Sequence, residues 1–101
     1  MKNVKIVDSY LGFSSRGLIA QLRFQNKNEQ YVAGPFVLTN LEPIVAILQV
    51  ADADDWDELK GKIVQIEIEN DFVTKVANIL NEELCINLKE EAPNNDTFNW
   101  E

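Results

Sequence analysis

The sequence contains no histidine. The commonest general base is therefore missing, and neither a Ser-His-Asp nor a Cys-His arrangement can be assembled. Cysteine is nearly absent too. Cys85 stands alone between Leu84 and Ile86, so no intramolecular disulfide forms, thiolate metal sites are excluded, and the expected thiol is inert and partly buried. The four glycines, Gly12, Gly17, Gly34 and Gly61, are scattered and build no phosphate loop. Paired carboxylates acting on a glycoside would need a cleft, which a chain of 101 residues rarely furnishes. These absences point away from an enzyme, and no cofactor is expected.

No apolar run approaches the roughly 20 residues of a membrane span. The N-terminal "MKNVKIVDSY" has no signal-peptide apolar core, so a cytoplasmic location is expected. Basic residues are scarce: 9 Lys and Arg stand against 17 Asp and Glu, for a net charge of −8. Direct nucleic-acid binding through a basic surface is disfavoured, whereas basic partner proteins are favoured. The deficit is also uneven. Residues 1–51 carry three acids (Asp8, Glu29, Glu42) and five bases (Lys2, Lys5, Arg16, Arg23, Lys27), a net of +2. Residues 52–101 carry 14 acids and 4 bases, a net of −10.

What is present suits one small domain, at 46% hydrophobic and 26% charged. "VKIVDSYLGF" begins in alternation, "SSRG" is a turn, and "LIAQLRFQ" sets Leu18, Ala20, Leu22 and Phe24 against Gln21, Arg23 and Gln25, the pattern of a half-buried antiparallel strand. After the turn "NKNE" comes "QYVAGPFVL", broken at Gly34-Pro35 as at an edge or bulge. "TNLE" reads as a capping box from Thr39 to Glu42 with Pro43 in the first turn. A three-turn helix is expected to follow, with Leu41, Ile44, Val45, Leu48 and Ala51 on its inner face. "KIVQIEIEN" returns to period two, "ND" turns the chain into "FVTKVANIL", and "ELCINLKEE" suits a last edge strand.

The expected fold is α+β, a curved antiparallel sheet of about five strands packed on one three-turn helix, with a second one-turn helix. The order is β-β-β-α-(short α)-β-β. The domain covers residues 1–91, and 92–101 form a C-terminal tail in which Phe98 and Trp100 are the large apolar side chains.

The carboxylate-rich "ADADDWDELKGK" (51–62) invites comparison with a calcium loop. Counted from Asp52, the EF-hand positions 5, 6 and 12 are Trp56, Asp57 and Ile63, and the template fails at each. Asp55-Trp56-Asp57-Glu58 is instead a D-x-x-E start for a short helix, pinned by Trp56 and Leu59 and stopped at Gly61. Elsewhere, Glu67 and Glu69 fall on one strand face about 7 Å apart, a spacing like that of successive phosphates. Asp52, Asp54, Asp57, Glu82 and Glu83, with Glu90 and Glu91, extend a candidate partner-binding set.

The run from Leu41 to Leu80, with its W-x-x-L-x-G-K segment at Trp56, Leu59, Gly61 and Lys62, resembles a group of small phage and prophage proteins. The opening "YLGFSSRGLIAQLRF" is similar to that group's first strands, whereas residues 29–40 lack its glycine-rich stretch. The resemblance implies origin in a mobile element. By analogy with anti-CRISPR proteins of similar size and charge, the expected function is a non-enzymatic inhibitor. Such a nucleic-acid mimic would bind the basic groove of a host nuclease, a Cas effector being the concrete case, as a monomer or dimer. Two other expectations stay open: a sponge for a nucleotide signal using Arg16, Arg23 and Lys27, and a virion assembly module.

Overall fold

The computed structural model describes residues 1–88. The expected tail, with Glu90, Glu91, Phe98 and Trp100, lies outside them. Strands β1 (Lys2–Ser14), β2 (Gly17–Asn26) and β3 (Glu29–Val37) are followed by helix α1 (Glu42–Ala51) and a 3-10 turn, Trp56–Leu59. Strands β4 (Ile63–Glu69), β5 (Phe72–Asn78) and β6 (Cys85–Asn87) complete the order. All six strands form one antiparallel sheet, β3-β2-β1-β4-β5-β6. The α+β class holds, with the three-residue β6 as a sixth, edge strand.

The alternation of β2 is realised as written: Ala20, Leu22 and Phe24 are buried, while Arg23 and Gln25 are exposed. Ile6 pairs with Phe24 and Val4 with Val64, so the inner face continues through Val64 and Ile66 of β4 to Val76 of β5. Three strands each carry one residue more than their partners: Val7 in β1, one residue at Gly34-Pro35 in β3, and Thr74 in β5. Such bulges bend a strand and sharpen its twist. The sheet curls until β3 touches β5 across the core. Thr74 is buried at its bulge, and its hydroxyl donates to the Glu67 carbonyl at 3.3 Å. Gly34 has φ +99°, and a Cβ there would lie 2.8 Å from the Ala20 carbonyl oxygen, so only glycine fits this bulge.

Two expectations for α1 are corrected. The Thr39–Glu42 capping box does not form. The helix begins at Glu42 with Leu41 as N-cap and no side-chain cap to the helix, while the Asn40 side chain accepts from the Glu42 amide at 2.9 Å. Pro43 does sit in the first turn. The inner face also differs: Ile47, Val50 and Ala51 are buried, Ile44 and Leu48 are half-buried, and Leu41 and Val45 are exposed. Both sides of this helix are apolar, so periodicity alone does not choose between them; contact with β4, β5 and β6 does.

The second short helix is the 3-10 turn. Asp55 caps it, its carboxylate accepting from the Glu58 amide at 3.0 Å, and Glu58 reaches back to the Asp54 amide at 2.9 Å. Leu59 is fully buried, Trp56 packs on the core, and Gly61 takes φ +97°. Asp55→Ala is expected to cost about 1 kcal/mol of stability by chemical denaturation, and Asp55→Asn much less.

On β3 the Tyr31 hydroxyl donates to the Glu29 carboxylate, which also forms a 4.0 Å ion pair with Lys2. The hydrogen bond, with smaller contributions from desolvation and the carboxylate's charge, raises the phenol above its ordinary value of 10.0. The protonated phenol is thus favoured in the folded chain. Its small stabilisation is complete below pH ~10 and fades as pH rises through the elevated folded value. Titration followed by tyrosinate absorbance is expected to show one tyrosine ionising late, and Glu29→Gln should bring it down.

Candidate functional site

Helix α1 ends in an unusual way for its charge. Asp52 adopts the left-handed conformation with φ +57°; its amide donates to the Gln49 carbonyl at 3.2 Å, and the Ala53 amide donates to Leu48 at 2.9 Å. This is the Schellman arrangement, in which glycine is the usual residue at the left-handed position. Aspartate tolerates this conformation better than most side chains, though less readily than glycine. It also places a negative charge at the negative end of the helix dipole, and the last turn contains no basic residue.

The Val50 carbonyl is met from the sheet. The Asn78 side-chain amide donates to it at 2.9 Å, and the Asn78 Oδ1 accepts from the Leu80 amide at 2.9 Å. The Asn78 amide in turn donates to the Leu84 carbonyl at 2.9 Å. Asn78 therefore fixes the β5–β6 loop against the end of α1. Asn81 folds the loop onto itself, accepting from the Glu83 amide through its side chain at 3.0 Å and from the Leu84 amide through its carbonyl at 3.1 Å.

Between loop and helix lies an open depression lined by Val45, Leu48, Gln49, Asp52, Ala53 and Leu84. Its surroundings are apolar and wet: Leu80 is 92% exposed and Val45 50%. Glu82 and Glu83 are exposed immediately before Leu84. No ion pair among the described residues neutralises Asp52, Glu82 or Glu83. Apolar side chains beside the Asp52 carboxylate, on a helix whose last turn holds no basic residue, can receive an Arg or Lys whose stem lies on the apolar floor.

The seven sequence-derived candidates do not form one surface. Asp52 lines this depression, and Glu82 and Glu83 directly precede Leu84, which lines it from the loop. Asp54 and Asp57 are exposed in the α1–β4 connection, beside and within the 3-10 turn. Glu67 and Glu69 share the outer face of β4 as expected, opposite the buried Val64 and Ile66 and so across the sheet from α1. There Glu67 is in register with Lys75 and Glu69 with Phe72. Among the described residues no three metal-binding side chains converge. The basic residues are separated as well. Arg16 and Lys27 lie in the turns at opposite ends of β2, ~30 Å apart at strand rise, and Arg23 is in register with Asp8.

Val45, Asn78, Leu80 and Leu84 are not site candidates by sequence, which places Val45 on the inner face of α1 and Leu84 only beside Cys85. The contiguous "NILNEEL" (78–84) held a signal, because exposed leucines beside paired acids are uneconomical on a purely solvated loop. Comparison of the chain with protein-family models, with curated proteins and with solved structures finds no match.

Proposed function

We propose that the protein is a non-enzymatic binding protein that presents the end of α1 and the β5–β6 loop to a basic surface of another protein. Its concrete form is an inhibitor from a phage or other mobile element that occupies the nucleic-acid groove of a host defence nuclease. One observation carries the reading: Asp52 sets a carboxylate at the negative end of the α1 dipole, with no basic residue in the last turn, and lines a depression with the exposed Val45 and Leu84. Residues kept against local stability are characteristic of binding surfaces, and an apolar centre with a charged rim is the ordinary anatomy of one. The net charge of −8 steers basic partners toward it.

The test pairs two variants. Asp52→Gly is expected to leave the chain as stable or up to ~1 kcal/mol more stable, yet to weaken partner binding. Glu82→Lys with Glu83→Lys is expected to weaken binding at least about tenfold and to reduce its salt dependence. The assay is DNA binding and cleavage by purified Cas effectors with and without the protein. Effectors that bind and cut DNA unchanged would remove the concrete form, and binding that is indifferent to all three substitutions would move the interface elsewhere.

A further inference from the structure

β1 is longer than its neighbour. It pairs with β4 only over Lys2–Lys5, and two bonds extend the contact: the Ile6 amide to the Lys62 carbonyl at 2.8 Å, and the Gly61 amide to the Ile6 carbonyl at 2.7 Å. From Asp8 to Ser14 it pairs with β2 alone among the described residues. The two-residue turn makes Ser14–Gly17 a hydrogen-bonded pair, so Gly12, Tyr10 and Asp8 also direct their backbone groups to β2. Ser9, Leu11 and Phe13 therefore point theirs outward, along an open edge. The Ser9 amide is already taken by the Asp8 carboxylate at 3.0 Å, which leaves Leu11 and Phe13.

The sheet's other edges are blunted in the usual ways. β3 carries Pro35 and a bulge, and β6 has three residues. The Ser9–Phe13 edge has no proline, lysine or bulge, and it exposes Leu11 at 38% and Phe13 at 82%.

We propose that two copies of the chain join along this edge, antiparallel, about a two-fold axis between their Gly12 residues. In that register Leu11 of each copy exchanges backbone bonds with Phe13 of the other, and the two exposed apolar side chains cover one another. Tyr10 faces Ser14, and its ring, which already lies over its own Gly12, meets no side chain at the axis. Moving the axis to Leu11 would oppose Phe13 to Ser9, whose amide is engaged. Centring it on Phe13 would oppose Leu11 to Ser15 in the turn. The arm belongs to the half of the chain whose charge is +2, five bases less three acids, so the acidic half does not oppose the contact locally.

Sedimentation velocity over a rising concentration series tests this on the full chain. The wild type is expected to reach dimer mass. Leu11→Lys with Phe13→Lys is expected to remain a monomer with an unchanged circular dichroism spectrum. Phe13→Pro, which removes the outward amide together with the exposed ring, is expected to dissociate the dimer as well. A wild type that stays monomeric, or a dimer that survives the double lysine variant or Phe13→Pro, overturns the proposal.

Discussion

Replacing Phe24 with alanine is expected to destabilise the protein by about 3–5 kcal/mol, much of the total stability of a domain this small. Phe24 has no exposed surface, and it sits at the centre of the inner face with Ile6 on β1 and Tyr31 on β3 in register beside it. Because β2 is flanked on both sides, the surrounding backbone has little freedom to close the cavity. Urea unfolding followed by circular dichroism measures the loss. A midpoint shift no larger than that of Gln25→Ala on the exposed side of the same strand would show that the inner face had been misassigned.

The second large effect is expected at Asn78. Asn78→Ala deletes the donor to the Val50 carbonyl and the acceptor for the Leu80 amide together. One bond is part-buried and crosses 28 residues of sequence, so its loss leaves a helix-end carbonyl unmet. The expected cost is about 2–3 kcal/mol. Its distribution matters more than its size. Amide hydrogen exchange should quicken at Leu80, Glu83 and Leu84 while Leu22 and Phe24 retain their protection relative to the global stability. Uniform acceleration across the sheet would mean that Asn78 supports the whole fold and not the loop.

The parts of the fold legible in the sequence were those set by neighbours in the chain. Leu18–Phe24 alternates because one face of β2 is covered, and the Asn70-Asp71 turn is visible because both residues tolerate the left-handed conformation they adopt, with φ of 53° and 70°. The Asp55 cap is equally local. The orientation of α1 was not legible, since Leu41 and Val45 are as apolar as Ile47 and Val50, and only the position of the sheet decides which are buried. The candidate site failed to gather for a related reason. Alternation shows that Glu67 and Glu69 lie on one side of β4, but only the placement of α1 shows that Asp52 lies on the other. The role of Asn78 depends on a partner on another element, and no local pattern announces it.

The three bulges have a consequence for shape recognition. By curling the sheet around its inner face, Val7, Gly34-Pro35 and Thr74 make the outer face convex. A convex surface receives nothing; it must itself be received. A partner that contacts Glu67 and Glu69 therefore has to offer a hollow, whereas the depression beside α1 receives a single projecting side chain, as the Arg and Lys that line a basic groove supply. The two acidic regions thus ask for relief on different scales, the width of a sheet in one case and one side chain in the other.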